Sequence, residues 1–348
     1  MSATPQLIKE LRAISGAGML DCKKALNKTG GDIDKSLAFL RESGLLKAAK
    51  KSGNIAAEGL ISMTFNDNFS KATICEVNSQ TDFVAKNKDF LALLDEITTH
   101  IHNTWAKNTH ELNSTTINGT TFEEYLNSKI AIIGENIVAR RMANIEITNG
   151  IINGYIHTNG KVGVILSATC SDEAKDKTKI LLKNIAMHAA AMKPKVISYK
   201  DIDQQTIISE NKAIIADITK ENEELSRLKK ALKVVPKFVS RSQLTEDILY
   251  KQKQIFEAQL KEQGKPEKIW DKIVPGKLSR FIEDNTILDN NFALLSQTYV
   301  LDDSKKVEQA IKDTDQSIKI VDYVIFELGD GVEKKQEDFA SEVAAQMK

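Results

Sequence analysis

Residues 154–161, Gly-Tyr-Ile-His-Thr-Asn-Gly-Lys, are the nearest this chain comes to a phosphate-cradling loop. Such a loop needs two glycines at a fixed separation, so that backbone N–H groups can wrap the phosphates. A lysine must follow, then a Ser or Thr whose hydroxyl holds Mg²⁺. Here Gly154 and Gly160 are one residue too far apart, and Val162 stands where the hydroxyl belongs. No direct nucleotide binding is therefore expected. His100, His102 and His110 share a polar stretch with Asn and Thr, without an HExxH pattern or a cysteine at ligand spacing, so no metal is expected there. Glu123-Glu124 reads as a solvated pair on a helix. No GxSxG elbow is present, and none of Cys22, Cys75 and Cys170 sits in a nucleophile setting. The three cysteines form no CxxC pair and read as small buried hydrophobes in a reducing compartment. Nothing here supports an enzyme or calls for a cofactor.

The informative segment is 81–87, Thr-Asp-Phe-Val-Ala-Lys-Asn. Thr81 is a good helix cap, and Asp82 in the first turn complements the positive end of the helix dipole. One reading is a well-made helix start, with Phe83 and Val84 entering the core. The other is a strand-to-helix corner from which a charge and an aromatic ring project together. A ring held on such a corner can fill a partner's pocket at little entropic cost. The residues alone leave both readings open.

The elements that must position this segment follow from periodicity. Three short helices are expected over 4–43: Thr4-Pro5 starts the first, and Leu7, Ile8, Leu11 and Ile14 share its apolar face. Gly16 and Gly18 precede the second over 19–26, Gly30-Gly31 closes it, and Asp32 caps a third carrying Ile33, Leu37 and Leu40 before Gly44. Lys47, Lys50 and Lys51 then fall in a linker up to Gly53. From Gly59 the period becomes two: Leu60, Ile61, Met63 and Phe65 lead into an Asn66-Asp67-Asn68 turn, followed by Ala72, Ile74 and Val77. Helical spacing returns over 80–97. A second hairpin is read over 152–169 around Asn159-Gly160, with a helix over 180–192 after it and another over 128–142 between the two units. Residues 200–262 are rich in Glu, Lys, Gln and Leu and read as two antiparallel helices, 207–232 and 244–260, parted near Pro236. A strand over 318–326 and a helix over 333–347 complete the chain.

The fold class is therefore α+β. It comprises a three-helix, ubiquitin-associated-type (UBA-like) domain over 1–54 and core subdomains over 55–145 and 146–325, each a hairpin plus helix. The second carries a projecting helical (coiled-coil) hairpin at about 200–262, and a helical module covers 326–348. Lys plus Arg and Asp plus Glu number 48 each in 348 residues, so no global field draws in nucleic acid or an anionic membrane, although a local basic patch would survive that balance. No apolar run approaches the roughly 20 residues that span a bilayer. The first ten residues lack a signal core and an Arg-rich presequence, so a cytoplasmic protein is expected.

These residues also carry a resemblance. Lys9-Glu10-Leu11-Arg12, Gly16-Ala17-Gly18-Met19 and 21–26, with Ala48-Ala49-Lys50-Lys51 before Gly53-Asn54, look like the amino-terminal signature of the elongation factor Ts family. Residues 81–87 match that family's most diagnostic motif. Ile133-Gly134-Glu135-Asn136 with Arg140-Arg141, Met187-His188-Ala189-Ala190 with Lys193-Pro194, and Phe326-Glu327 through Asp338-Phe339-Ala340 agree in order. The resemblance implies a bacterial guanine nucleotide exchange factor whose partner is the GTPase elongation factor Tu, bound one-to-one or two-to-two. It implies that Thr81, Asp82, Phe83 and Val84 disturb the partner's Mg²⁺ site, with Phe83 wedged between side chains there. It implies that Arg12, Met19, Leu20 and Lys23 form a contact face on the bundle, and that His157 meets an outer domain of the partner. The helix around 338–343 resembles a module that also packs on the nucleotide domain. Leu20 departs from the pattern by replacing a second Met, and the stretch over about 198–262 is longer than the family's. A plain interaction adaptor and a hydrolase using His100 to His110 are the rival readings.

Overall fold

The computed structural model describes residues 3–332. The helix expected over 333–347, the residues 338–343 within it and most of the 326–348 module lie outside them. Of these, residues 3–167 with 324–332 form one compact unit, and Ala168–Tyr323 form another.

In the first unit the caps set the helix boundaries. Helix α1 (Pro5–Ser15) begins where the Thr4 hydroxyl accepts the N–H of Leu7, and it stops at Gly16, whose φ of 66° is left-handed. Helices α2 (Met19–Lys28) and α3 (Ile33–Lys51) follow, the latter capped by Asp32. Leu11, Cys22, Ala25 and Leu26 are sealed between them. Ile14 departs from its expected place in that face and is 57% exposed. Helix α3 departs too, running through Gly44 to Lys51, so Lys47, Lys50 and Lys51 are helical and not linker. Gly44 is buried, and a Cβ there would lie 3.5 Å from that of Ala131. A residue that weakens an isolated helix is thus held inside this one, where α3 meets a neighbouring helix.

Strands β1 (Glu58–Phe65) and β2 (Lys71–Ser79) pair antiparallel around the expected turn, where the Asn66 side chain accepts the N–H groups of Ser70 and Lys71. Next come α4 (Asp82–Ala85), α5 (Lys88–Thr104), α6 (Thr109–Asn113), the small pair β3 (Thr116–Ile117) and β4 (Thr120–Thr121), α7 (Phe122–Ile133) and β5 (Ile137–Glu146). The helix expected over 128–142 is therefore a helix end and a strand. Gly134 closes α7 at φ 88°, and β5 pairs antiparallel with β2. Its alternation is hidden because the register shifts at Glu76/Val77, which face Arg141 and Ala139 and leave Arg140 extra.

The sheet order β1-β2-β5 makes β2 the central strand, covered on both faces. Cys75 and Val77 pack in a core with Phe90, Leu93, Leu94, Ile97 and Ile101 of α5. Ala72 and Ile74 pack with Ile61, Ile152 and Ile165. Each such large apolar side chain contributes about 1.5–3 kcal/mol. Burial pushes the Cys75 thiol up to about 12, which leaves it inert.

A second sheet has the order β6-β7-β8, from β6 (Gly150–Ile156), β7 (Val162–Thr169) and β8 (Lys319–Glu327). Gly154 lies inside β6, where a Cβ would fall 2.5 Å from the carbonyl oxygen of Val164. Its glycine serves strand packing. Beyond β8, the extra residue in β5 lets both Arg140 and Arg141 reach the fully buried Glu76 carboxylate, at 3.0 and 2.5 Å. The N–H of Gly329 donates to the same carboxylate at 3.0 Å, and the two guanidiniums also donate to the carbonyls of Asp330 and Glu327. Burial alone would raise the Glu76 pKa, but these donors outweigh it and hold the group below its ordinary value.

The second unit contains α8 (Lys175–Met192), α9 (Gln204–Arg227), α10 (Glu246–Glu262), α11 (Trp270–Asp284), α12 (Ile287–Phe292) and α13 (Val307–Thr314). Helix α9 stops at Arg227, five residues short of expectation, and the Asn222 side chain holds the backbone of Lys233 in the irregular stretch that follows. The expected hairpin pairs α9 with α10, whereas α10 packs on α11 through the rings of Phe256 and Phe281, 6.4 Å apart. The apolar residues of α9, Ile207 and Ile214, instead join Val239, Leu288 and Phe292. Each helix has turned its own stripe to a different neighbour.

Candidate partner-binding site

Chain direction changes sharply after β2, and the change is held from three sides. Thr81 caps α4, accepting the N–H of Val84 on its hydroxyl oxygen. Its own N–H and O–H both donate to the carboxylate of Glu135, at 3.0 and 2.7 Å. The Ser79 hydroxyl donates to the Thr81 carbonyl, and Asn87 caps the next helix by accepting the N–H of Asp89. Val84 and Ala85 enter the core beside α5. A four-residue helix puts its other side outward, and there Phe83 is 81% exposed. Single exposed apolar side chains are ordinary on a protein surface, so the exposure fixes the direction of the ring rather than its role. The projecting reading of Phe83 thus describes its position, while Val84 takes the inward one.

Asp82 is half exposed and accepts the Lys86 ammonium at 2.7 Å. That hydrogen bond, with the charges of Lys86 and Lys161, holds its carboxyl below the usual aspartate value. Lys161 belongs to the turn after β6, so this turn lies within electrostatic reach of the corner. His157 stands exposed in the same turn, its Nδ1 3.3 Å from the hydroxyl of Tyr155.

Arg12, Met19, Leu20 and Lys23 form a separate exposed group on α1 and α2. Met19 and Leu20 are 60% and 73% exposed in the first turn of α2, with Arg12 and Lys23 supplying positive charge. Ile14 adds an apolar residue that periodicity had assigned to the bundle interior. A cleft of about 460 Å³ lies beside the contact between this bundle and α7, lined by Ile14, Asp21, Arg41, Lys47, Tyr125 and Ile132. Glu135 is the residue that motif reasoning quoted without a role. An acid directly after a helix-ending glycine was its only signal.

Of the three histidines considered for metal binding, His100 and His102 are partly buried among hydroxyls and rings, and His110 is exposed. His100 Nε2 lies 2.7 Å from the Thr115 hydroxyl, and its ring stacks on Phe122. The Thr73 hydroxyl donates to Asn144, so it accepts from Nδ1 of His102. Burial lowers the pKa of both rings. Among the described residues, no group of three or more His, Cys, Asp and Glu is placed to hold a metal ion, and no helix is long and apolar enough to cross a membrane.

Comparison with known proteins bears on the same residues. The family model described as Elongation factor TS matches residues 80–233 and 231–330, so its match begins beside the corner. Elongation factor Ts of Aliarcobacter butzleri is 60% identical over 344 residues, covering 99% of this chain and 98% of its own. Elongation factor Ts of Campylobacter fetus is 52% identical over the full length of both chains. That of Helicobacter hepaticus is 49% identical over 98% of each.

Proposed function

The chain belongs to the elongation factor Ts family, and from that premise we propose that it is a cytoplasmic, non-enzymatic exchange factor in protein synthesis. It binds elongation factor Tu carrying GDP and speeds release of that GDP, so that GTP can bind. The observation that carries the reading is Phe83, 81% exposed on a corner tied down on both sides.

GDP in a GTPase is held by a phosphate loop and by Mg²⁺, an ion that demands near-ideal octahedral geometry. A ring pushed beside that site shifts a ligand loop and weakens ion and phosphate together. The UBA-like bundle docks through Arg12, Met19, Leu20 and Lys23, Thr81–Val84 supply the wedge, and His157 meets a further domain. Coupling is reciprocal, so nucleotide loosens the factor by the same ratio that the factor loosens nucleotide. A hundredfold effect requires about 2.7 kcal/mol, within reach of a multi-site interface. The device needs no acid, base or nucleophile.

The test is release of a fluorescent GDP analogue from the cognate elongation factor Tu, chased with excess GTP. The release rate should rise and saturate with factor concentration. A rate independent of the factor refutes the exchange reading.

A further inference from the structure

We propose that Glu135 and Asn136 form a two-sided latch that sets the Phe83 corner in register with the end of the amino-terminal bundle. They would then be positioning residues for exchange, an inference that rests on the function proposed above. The two are adjacent, just past the left-handed Gly134 that ends α7. Glu135 reaches one way, and both of its carboxylate oxygens are used on Thr81, 54 residues earlier. Asn136 reaches the other way. It is 6% exposed, and its side-chain amide donates to the carbonyl of Asn54 at 2.8 Å, with a longer approach to that of Ser52, where the chain leaves α3.

The geometry makes the latch more than local support. A ring 81% exposed has little to hold it, so its position is dictated by its flanks. On the carboxyl side Val84 and Ala85 are fixed by the core. On the amino side the hydroxyl that caps α4 is the same hydroxyl that donates to Glu135. Removing the carboxylate frees the Thr81 rotamer and orphans its N–H, so the corner gains freedom that docking must remove. The bundle and the wedge must engage one partner together, and an error of about 1 Å in placement can lower such a process roughly a hundredfold.

The latch is tested by measuring fluorescent-GDP release against factor concentration, which separates the maximal rate from the half-saturating concentration. Glu135→Ala should lower the maximal rate by roughly threefold and by no more than Phe83→Ala does, and half-saturation should stay within about twofold of wild type. Glu135→Gln keeps one acceptor oxygen and should fall between. Because latch and wedge act as one unit, Phe83→Ala with Glu135→Ala should be no slower than Phe83→Ala alone. A folded Glu135→Ala protein that matches wild type, or defects that multiply in the double variant, overturns the proposal. If Glu135→Ala does not fold, Thr81→Val removes one arm isosterically and should show the same fall in maximal rate; a wild-type rate overturns it. If wild type itself fails to speed release, the exchange reading falls, and the latch is read from the factor alone. Fluorine-labelled Phe83 should then change resonance position or width in Glu135→Ala, and an unchanged signal sinks it.

Discussion

Replacing Phe83 with Ala separates a partner-facing residue from a structural one. Its ring is 81% exposed in the free factor, so truncation removes almost no internal packing. Surface changes of this kind stay within about 0.5 kcal/mol, and the melting temperature should hold within about 2 °C. In the complex the account differs. Burying a whole Phe side chain is worth about 1.5–3 kcal/mol, and most of this ring's area is still available to be buried. If half of that goes into loosening nucleotide and half into holding the partner, about 0.75–1.5 kcal/mol is lost from the coupling. At 1.4 kcal/mol per factor of ten, the maximal GDP release rate should fall by roughly three- to tenfold. The other half should appear as weaker binding in titration calorimetry with nucleotide-free elongation factor Tu. Phe83→Leu, which keeps apolar volume, should recover part of both. A Phe83→Ala factor that melts as wild type and exchanges at the wild-type rate refutes the wedge. One that unfolds refutes the claim that the ring stands outside the fold.

Three further outcomes follow from buried groups. Glu76→Gln leaves the Arg140–Arg141 pair without its carboxylate and should cost about 3–5 kcal/mol, a fall in melting temperature on the order of 10 °C by calorimetry. The Glu76 pKa lies below its ordinary 4.5, so its contribution is complete above that pH and is lost as pH falls through the folded value; Gln should flatten this acid limb. His188 accepts the N–H of Val300 on Nδ1, so Nε2 carries the proton donated to Gln297, and burial lowers its pKa below 6.5. The unfolded chain then takes up a proton first, so stability should decline as pH falls from about 7 to 5, a trend that His188→Gln should weaken in pH-dependent melts. Gly154→Ala sets a methyl 2.5 Å from the Val164 oxygen and 2.9 Å from the Met63 sulfur, and should cost about 1–3 kcal/mol in chemical denaturation.

Local chemistry made much of the fold legible. Thr4, Asp32 and Thr81 cap the helices they were expected to cap, and the turns at Asn66 and Gly160 fall between strands as periodicity required. What failed was decided at long range. The strand β5 was hidden because one extra residue, Arg140, breaks its alternation, and only pairing with β2 explains the insertion. Gly44 lies inside α3 and faces Ala131, 87 residues away in sequence, a long-range contact that a local reading does not contain. The pairing of α10 with α11 depends on which apolar stripe finds which neighbour. For the candidate site, the identity of Thr81, Asp82 and Phe83 was readable and their direction was not. A helix start looks the same in sequence whether its second residue points in or out.

That ambiguity has a physical source that bears on mechanism. A wedge works only if its free-energy gain is not consumed in ordering itself, and immobilising one rotamer-rich side chain costs about 0.5–1.5 kcal/mol. Phe has two torsions, and its backbone here is fixed before docking by Glu135 on one side and Val84 on the other. Backbone ordering, at about 1–2 kcal/mol per residue, is thus already spent in folding across all four residues of α4. Had 81–84 been a mobile loop, that cost would exceed the 0.75–1.5 kcal/mol assigned above to loosening nucleotide. In the proposed mechanism the rigid corner is the condition for a single exposed ring to act on another protein's ion site. The Glu135 carboxylate, 54 residues away in sequence, supplies one side of that rigidity through both of its oxygens.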